Sequence, residues 1–481
     1  MAVVDEIFSH ARMTPDRGAL TWSGRTFSYR QLAAFIALAR ADLDRQALDR
    51  DHVAVLFVRN MVWTWIVGLA LRSLGVTTAP GRTVQDLEQL DLGKVTVVVM
   101  SDETWPGLAE AAMRRGCPIV VAAVFGEVEA SAVTDDALQR PDGAATGGYI
   151  LLTSATTGVY KKILVDPANE PEEVRDRIDQ FPELGPASVV NMFKFGAWTA
   201  IGYFMPMIVW RLGARLVLDN SDDVWRSLTA RDVTMAFVQP ALLASLLEAP
   251  ADAPLRNDGM TLVVIAGVLS EAQWLAARRR LTNDVRTTLG STEAGANAVT
   301  RIESRDDLTW HRLRPGQMEV ADDEGRPARV GQIGEVRVRL NRVDRYLGDP
   351  EATKAFFRAG YFYPGDLAVI REDGRLSLQG RVTDVINVMG DKYGTLPIET
   401  GLQARLGAQA VHVFSHPGPD GEEVHVVIQI EGALTAEALN AALLATMPPM
   451  RAVRVHRVES FPRNNMGKVE RATLKARLGI V

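Results

Sequence analysis

Hydrophobic residues follow two alternating patterns along the first part of the chain. Leu32, Phe35 and Ile36 have the three- and four-residue spacing of one helix face, and residues 62–74 form a second helix-length apolar segment. Between them, residues 53–58 form an unbroken apolar run. Short apolar runs that alternate with helical segments are typical of parallel strands buried on both faces. This part of the chain therefore predicts an α/β fold.

The same kind of short run recurs further along the chain, at residues 96–100, 119–124, 150–153, 214–218 and 261–266. The best candidate for a membrane segment is the uncharged run at residues 195–210, which contains Pro206. It is shorter than the roughly 20 apolar residues that a helix needs to cross a bilayer. We therefore expect a buried helix there and no membrane span.

The pattern changes after about residue 305. Short strand-like runs joined by polar turns follow, at residues 318–321, 334–340, 367–370 and 376–379. Further on, strand-like runs mix with helical ones, at residues 410–414, 423–430, 435–447 and 471–478. We predict an N-terminal domain of doubly wound sheets over residues 1–382. It includes a small β-barrel-like subdomain at about residues 305–380. A small, mobile α+β domain is predicted over residues 383–481.

Composition and charge narrow the classes of function. Of the 481 residues, 47% are hydrophobic and 23% are charged, which is ordinary for a globular protein of more than one domain. The net charge is −6 with interspersed charges, so the chain lacks the basic surface of a nucleic-acid-binding protein. Cys117 is the only cysteine, which excludes an intramolecular disulfide, and the first residues do not resemble a secretory signal. We therefore expect a cytoplasmic protein, either a monomer or a homodimer.

Residues 153–161, Thr-Ser-Ala-Thr-Thr-Gly-Val-Tyr-Lys, carry the first candidate chemistry. They follow an apolar strand and offer hydroxyls, backbone N–H groups and one lysine, a combination that suits phosphate oxygens. The spacing is not that of a Walker A loop. Taken alone, the segment also fits an ordinary polar turn.

This segment resembles the phosphate-binding signature T-S-G-T-T-G-x-P-K of the adenylate-forming superfamily, which comprises acyl-CoA synthetases, peptide-synthetase adenylation domains and luciferases. Six of the eight defined positions match, and the departures are Ala155 for glycine and Tyr160 for proline. The resemblance implies a set of residues that holds the departing pyrophosphate of ATP: Ser154, Thr156, Thr157, Gly158 and Lys161.

A second segment, Leu-Gly-Ser-Thr-Glu at residues 289–293, resembles the superfamily's Y-G-x-T-E. The resemblance implies that Glu293 holds Mg²⁺ against the ATP phosphates and that Thr292 hydrogen-bonds the α-phosphate, roles that suit a carboxylate and a hydroxyl. It places Leu289 where an aromatic residue usually packs on adenine. Four further residues are implied as nucleotide contacts: Gly267, Val268, Gly290 and Ser291.

Two further segments continue the resemblance. Residues 346–366 are similar to Y-x-x-x-P-x-x-T followed by G-W-x-x-T-G-D, and residues 380–399 resemble the hinge segment and the loop after it. By this resemblance Asp366 accepts both ribose hydroxyls, since two carboxylate oxygens match a vicinal diol. Arg381 is implied as a second ribose contact.

The resemblance also implies that the C-terminal domain rotates about a hinge between the two half-reactions. Thr383 takes the hinge position, and Gly390 and Lys392 belong to the loop that forms a thiol channel after rotation. Near the C-terminus, residues 462–471 resemble P-R-x-x-x-G-K-[VI]-x-R, the motif of the superfamily's catalytic lysine. The resemblance therefore implies that Lys468 is catalytic.

The acid is less well specified. Residues 192–198 align loosely with F-H-x-x-G, a stretch that borders the acyl pocket, and Lys194 stands where histidine is common. We expect Lys194 either to meet a polar group of the acid, as a buried ammonium that needs a partner, or to face solvent. No aspartate is present near here to hold an α-amine, so an aryl, short or functionalised acid is favoured over a free α-amino acid. The implied acyl-pocket residues are Phe193, Lys194, Gly196, Trp198 and Gly295.

Taken together, the resemblance implies an enzyme that uses ATP and Mg²⁺ to convert a carboxylic acid into its acyl-AMP. The acyl group then passes to coenzyme A. Two alternatives stay open: a stand-alone adenylating enzyme that loads a carrier-protein thiol or an amine, and a non-catalytic nucleotide-binding homologue. A zinc pair of His412 and His416 is not expected, because residues i and i+4 of a strand lie about 13 Å apart.

Overall fold

The computed structural model divides into two compact units. One comprises Met1–Ala296 with Arg345–Thr353, and the other comprises Asn297–Asp344 with Lys354–Val481. The structure describes residues 2–46, 48–140, 143–153, 160–219, 224–228, 232–250, 252–340, 342–388, 391–418, 421–447, 453–463 and 469–480.

The first unit alternates strands with helices. Its strands are β1 (Gly18–Trp22), β2 (Arg25–Ser28), β3 (Val53–Phe57), β4 (Thr78–Pro80), β5 (Val95–Met100), β6 (Ile119–Ala122), β7 (Tyr149–Thr153), β8 (Lys161–Val165), β9 (Val189–Phe193), β10 (Arg215–Asp219), β11 (Met235–Val238), β12 (Thr261–Val264), β13 (Asp284–Ser291) and β14 (Gly295–Arg301), the last of which continues into the second unit. Its helices are α1 (Val3–Met13), α2 (Tyr29–Asp44), α3 (Met61–Ser73), α4 (Val84–Gln89), α5 (Leu108–Arg114), α6 (Glu127–Ser131), α7 (Glu170–Ile178), α8 (Ala200–Arg211), α9 (Pro240–Leu247) and α10 (Glu271–Arg280).

Two largely parallel sheets form the body of this unit. In one sheet the order is β6-β5-β3-β4-β7-β8, and only the β7–β8 pair is antiparallel. In the other sheet the order β13-β12-β11-β9-β10-β1 is parallel throughout, and β2 adds to β1 in the antiparallel direction. Apolar runs such as β11, which is buried at every position, account for strands covered on both faces.

The helices begin where the sequence supplies caps. Ser28 and Gln31 form a reciprocal capping box at the start of α2, and the Asn60 side chain accepts from backbone N–H groups at the start of α3. The apolar segment predicted to be a buried helix contains α8, whose Tyr203 and Trp210 are fully buried. Within the described ranges, every helix is too short or too polar to cross a bilayer.

The second unit begins with a β-rich part. Its elements are β15 (His311–Arg312), β16 (Met318–Ala321), β17 (Gly334–Arg339), α11 (Pro350–Phe356, which starts in the first unit), β18 (Phe357–Arg358), β19 (Tyr361–Phe362), β20 (Asp366–Ile370) and β21 (Arg375–Arg381). These strands form an antiparallel sheet in the order β15-β21-β20-β17-β19-β18, with β16 also paired to β17. The polar turn at residues 322–325 joins β16 to the segment before β17, as the sequence predicts.

The rest of the second unit is α+β. Its elements are β22 (Ile386–Val388), β23 (Asp391–Tyr393), α12 (Thr395–Leu406), β24 (Ala410–Gly418), β25 (Gly421–Gln429), α13 (Ala436–Thr446), β26 (Val453–Val458) and α14 (Arg471–Arg477). The last three strands form a sheet in the order β24-β25-β26. Val413 and Val426 pack on one face of it with Leu402 of α12, whereas Phe414 packs on the other face with Leu474 of α14.

The predicted fold class is confirmed. Large α/β sheets precede an antiparallel β-rich part and a small α+β part, and the predicted strands and helices are present within a few residues of their expected ends. Sequence reasoning missed α12 and β26. The parallel β25–β26 pairing it also missed requires a crossover through α13, which only the folded chain shows.

Candidate active site

The segment implied to bind phosphate closes a hairpin at the edge of the first sheet. Thr153 at the end of β7 pairs with Lys161 at the start of β8. Because β7 runs parallel to β4, the connection after β7 emerges at the carboxyl edge of the parallel strands, where α/β sheets bind ligands. The implied pyrophosphate contacts Ser154, Thr156, Thr157 and Gly158 lie outside the described residues, as does Ala155.

Tyr346 connects the lysine of this segment to the implied magnesium ligand. The Lys161 Nζ atom lies 5.1 Å from the centroid of the Tyr346 ring. The Tyr346 hydroxyl donates a hydrogen bond to Glu293 Oε1 at 2.6 Å. Three segments that are far apart in the sequence therefore meet at one phenol.

The environment of Tyr346 keeps its hydroxyl a donor. Burial, followed by the charge of Glu293, raises the pKa of the Tyr346 phenol well above its usual range. The side chain is 3% exposed. Its backbone N–H donates to Thr353 Oγ1 at 3.0 Å, and the Thr353 hydroxyl donates to the Asp349 carbonyl at 2.7 Å. The Asp-Pro-Glu-Ala-Thr run thus fixes the tyrosine that orients Glu293.

The turn that carries Glu293 depends on close backbone contact. A Cβ atom at Gly290 would lie 2.0 Å from the Gly295 carbonyl oxygen, so only glycine fits there. Gly295 itself has φ 67°, a left-handed conformation that glycine adopts without strain. The Ala294 N–H donates to Ser291 Oγ at 3.1 Å. Thr292 and Glu293 are both half-buried at this turn.

Glu293 suits a hard divalent cation. Oxygen ligands are what Mg²⁺ prefers, and it is commonly held by one or two carboxylates together with substrate phosphates and water. Tyr346 donates to Oε1 of Glu293, and a carboxylate has a second oxygen that can ligate a cation. Among the described residues, no group of three His, Cys, Asp or Glu side chains is arranged to hold a metal by itself.

The implied adenine contacts differ in exposure. Ala266 has φ 63°, and Gly267 passes so close to Pro240 that a Cβ atom would lie 3.0 Å from its ring. Val268 follows with 55% of its surface exposed. Leu289, expected to be an apolar contact of adenine, is instead 9% exposed and belongs to the core of β13. Of the two, only Val268 presents a substantial apolar surface.

The acyl-pocket segment is attached to the strand that leads to the phosphate segment. Tyr149 in β7 donates a hydrogen bond from its hydroxyl to the Ala197 carbonyl at 2.8 Å. A Cβ atom at Gly196 would lie 2.0 Å from the Trp198 ring, so the indole covers this glycine. Phe193 is fully buried.

Lys194 does not match the first of the two expectations for it. Its side chain is exposed, and its backbone has φ 50°, the left-handed conformation. The premise of a buried ammonium therefore does not hold for this side chain. Gly295, at the end of the Glu293 turn, lies against Arg177 of α7, whose Nη1 would be 2.5 Å from a Cβ atom there.

In the second unit, Asp366 and Arg381 form a cross-strand pair. They are register partners at the ends of β20 and β21, and Arg381 Nε lies 3.0 Å from Asp366 Oδ1. Arg381 Nη1 also donates to the Pro364 carbonyl at 2.5 Å. The hairpin therefore brings together the two residues that the resemblance implied as ribose contacts.

The hinge segment and the C-terminal motif also meet in this unit. Thr383 is exposed in a short 3-10 turn, and its hydroxyl donates to Asp384 Oδ1 at 3.1 Å. Arg471, in the C-terminal motif, forms a salt bridge with Asp384. An isolated β-bridge between Arg463 and Val469 closes the loop that contains Lys468.

Some predicted residues cannot be placed. Lys468 and Gly390 lie outside the described residues, and the structure describes only the backbone of Lys392, which pairs with Asn387 in the β22–β23 hairpin.

Sequence reasoning missed two contacts. One is the salt bridge of Arg471 with Asp384, two motif residues that had been given no role. The other is Arg82, whose Nη1 donates to the Tyr160 hydroxyl at 2.7 Å beside the phosphate segment. The available signal for Arg82 was a Gly-Arg pair directly after a parallel strand.

Comparisons with known proteins show which family and fold the chain is similar to. The family model described as AMP-binding enzyme matches residues 7–344. Triostin synthetase I of Streptomyces triostinicus is 26% identical over 98% of this chain and 93% of its own. A 4-chlorobenzoate–CoA ligase of Arthrobacter is 24% identical over 95% of this chain and 91% of its own. Among solved structures, the amide bond synthetase McbA from Marinactinospora thermotolerans shares the fold with a TM-score of 0.81, at 19% identity and with 99% of both chains covered.

Proposed function

The chain belongs to the AMP-binding enzyme family of adenylate-forming enzymes, and from this we propose that it activates a carboxylic acid with Mg²⁺ and ATP and transfers the acyl group to coenzyme A. The observation that carries the proposal is the contact of Tyr346 with both Lys161 and Glu293. It joins a cation suited to phosphate oxygens to a carboxylate suited to a metal ion. A protein without nucleotide chemistry has no evident need for that arrangement.

In the first half-reaction, a carboxylate oxygen of the acid bonds to the α-phosphorus of ATP. The bond from that phosphorus to the bridging oxygen breaks, so acyl-AMP forms and pyrophosphate leaves. Bound Mg²⁺ supplies positive charge to the phosphate oxygens. Glu293, oriented by Tyr346, would hold the ion, Thr292 would donate to the α-phosphate, and Lys161 would remain with the pyrophosphate.

Asp366 would hold the ribose. Both of its oxygens can accept from the two ribose hydroxyls, and Arg381 holds the carboxylate in place through its Nε. The same arginine also donates to the Pro364 carbonyl, so the position of its side chain does not depend on Asp366 alone.

Lys468 would stabilise negative charge between the acid and the α-phosphate, because a preorganised cation is worth most where charge develops. The domain after Thr383 would then rotate, withdraw Lys468 and bring the loop with Gly390 and Lys392 to the thiol. Lys468→Ala should abolish acyl-AMP formation and spare thioester formation from supplied acyl-AMP. Equal loss of both half-reactions would contradict this role.

The proposed acceptor, coenzyme A, has a specific rival. A coenzyme A ligase and an amide bond synthetase both resemble the chain, so transfer to an amine or to a carrier-protein thiol is the competing function. For the acid, residues 192–198 contain no aspartate that could hold an α-amine, which favours an aryl, short or functionalised acid over a free α-amino acid.

The test is a pyrophosphate-release screen over a panel of aryl, short-chain and functionalised acids. Each acid is tested with coenzyme A, with a simple amine and with neither, and the products are read by mass spectrometry. Acid-dependent release with acyl-CoA as product supports the proposal, whereas an amide product moves the assignment to the rival. ATP binding without release from any acid indicates a non-catalytic homologue and rejects the proposal.

A further inference from the structure

Arg82 is fixed beside the phosphate segment by its backbone. It follows Gly81 at the carboxyl end of β4, the strand next to β7. A Cβ atom at Gly81 would lie 2.8 Å from the Phe57 ring, so the chain passes directly over that ring. The Asp86 side chain then accepts from the Arg82 N–H at 2.8 Å and the Thr83 N–H at 3.0 Å. The position of the Arg82 backbone is therefore well defined.

The side chain of Arg82 is held by aromatic residues. Its Nη1 donates to the Tyr160 hydroxyl at 2.7 Å. The guanidinium carbon lies 5.5 Å from the centroid of the Tyr160 ring and 4.9 Å from that of Trp198. Both distances are within the range of cation–π attraction.

No acid neutralises this guanidinium within the part of the chain that the structure describes. Arg72, by contrast, is buried against Glu170 with a 2.7 Å salt bridge. A guanidinium carries five N–H donors in a planar fork, and Tyr160 accepts from only one of them. Arg82 thus keeps donors and a full positive charge at the ligand-binding edge of the sheet.

Tyr160 is the link between Arg82 and the phosphate segment. It stands where the resembling signature has proline, and Lys161 follows it directly. The Tyr160 ring also packs against the apolar cluster that contains Phe57 and Leu87. A proline has no hydroxyl to accept from an arginine, so the exchange of proline for tyrosine gives Arg82 a partner in the residue that precedes Lys161.

We propose that Arg82 is an additional phosphate-binding residue that contacts the oxygens of the departing pyrophosphate of ATP, positioned by Tyr160 and Trp198. The proposal rests on the adenylating function proposed above and extends its set of ligand contacts. Arginine suits this role because its fork donates two parallel hydrogen bonds to one oxyanion. Stacking on two rings reduces the side-chain freedom that binding would otherwise remove.

The same geometry allows a purely structural role, in which Arg82 only bridges Tyr160 to Trp198. Because Trp198 is an implied residue of the acyl pocket, the carboxylate of the acid is a second anion that Arg82 could bind. Three measurements distinguish these roles. Pyrophosphate binding changes the KM for pyrophosphate, carboxylate binding changes the KM for the acid, and a purely structural role changes thermal unfolding.

The experiment uses three variants, Arg82→Met, Arg82→Lys and Tyr160→Phe. The control is Arg50→Met, which removes the same charge from an exposed residue between α2 and β3. ATP–pyrophosphate exchange gives the KM values for ATP, pyrophosphate and acid. Loss of one charge-assisted contact should raise the KM values for ATP and pyrophosphate by roughly tenfold or more in Arg82→Met. The KM for the acid should stay within about twofold, a change too small to represent a lost hydrogen bond.

The other two variants should show smaller losses of pyrophosphate binding than Arg82→Met. Arg82→Lys should recover part of the loss, since it keeps the charge without the fork. Tyr160→Phe should weaken pyrophosphate binding less than Arg82→Met, because it frees the arginine without removing it. A rise in the KM for the acid alone would overturn the proposal in favour of the carboxylate. Unchanged constants in Arg82→Met would overturn it as well.

Calorimetry with pyrophosphate on the full chain separates this proposal from the broader one. If wild-type protein shows no exchange with any acid, the proposed function fails. Weaker pyrophosphate binding by Arg82→Met than by Arg50→Met would still support the Arg82 contact, and equal binding would reject it. Thermal unfolding of each variant checks that the fold is retained.

Discussion

Glu293 and Asp366 are carboxylates with an implied nucleotide role, but the chain positions them differently. Asp366 meets Arg381 because the two are register partners in one antiparallel hairpin. Glu293 is oriented by Tyr346, which comes from a separate segment and also lies against Lys161. The first arrangement is local in the sequence, and the second depends on tertiary packing.

The difference has a consequence for how each carboxylate responds to mutation. A hairpin pair keeps its geometry while the strand ladder holds, so a substitution there should alter ligand contacts more than the fold. A carboxylate oriented by a buried phenol depends on a packed core, and loss of either group leaves the other without its partner.

The largest effect is expected for Glu293→Gln. The amide keeps an oxygen that can accept from Tyr346 and removes the charge that a cation requires. Pyrophosphate exchange should fall by roughly 10²- to 10³-fold, the usual loss for a preorganised electrostatic partner. A magnesium titration of exchange should show a higher requirement for the metal. Exchange within a few-fold of wild type would show that Glu293 is not the metal ligand.

A smaller effect is expected for Asp366→Asn. The amide can still accept one hydrogen bond, but it no longer offers two equivalent anionic oxygens to the ribose. The KM for ATP should rise by roughly 10- to 100-fold, as for the loss of a charged hydrogen bond. Thermal unfolding should remain close to wild type, because Arg381 still donates to Pro364. A large loss of stability would show that Asp366, like Glu293, is tied to the packing of the fold and not only to its hairpin partner.

Tyr346→Phe tests the packed arrangement directly. It removes only the hydroxyl that orients Glu293 and keeps the ring beside Lys161. Because Glu293 is half-buried and can be hydrated, we expect a loss of about 1 kcal/mol in unfolding free energy, measured by denaturant titration. Exchange should fall by roughly tenfold, which corresponds to about 1.4 kcal/mol. Full activity would mean that Glu293 holds its position without the phenol.

The last prediction concerns the acid stability of the antiparallel sheet and leaves the active site unchanged. His311 of β15 pairs with β21, the strand that ends in Arg381. Burial lowers the pKa of His311 to about 4 from its ordinary 6.5. Between these values the unfolded chain binds a proton that the folded chain does not, so this contribution is complete above pH 6.5 and is lost as the pH falls towards 4.

His311 is only partly shielded, so we expect the change to be about 1–2 kcal/mol. Urea unfolding of the full chain at neutral and acid pH should show this loss of unfolding free energy in wild type. The loss should be smaller in His311→Gln. His425 and His456 remain in the variant, and their pKa values are also lowered by burial, so some dependence should persist. An identical slope in both proteins would contradict the assignment to His311.

Several features followed from sequence patterns because they are local. The apolar run of β7 and the polar turn between β16 and β17 could be recognised from neighbouring residues alone. Asp366 and Arg381 were implied by the resemblance of two motif segments, and the hairpin that pairs them is also local in the sequence. The sequence left the position of Lys194 open between two expectations, and its left-handed backbone is seen only in the folded chain.

The sequence by itself determined the family, the α/β class and the identity of the candidate chemical groups, because apolar periodicity and motif spacing are written in adjacent residues. Only the tertiary structure decided which of those groups meet. Tyr346 reaches Glu293, Arg82 reaches Tyr160 and Arg471 reaches Asp384 through contacts between distant segments. Such contacts depend on strand order and on the packing of side chains, and neither is encoded in the spacing of any single segment.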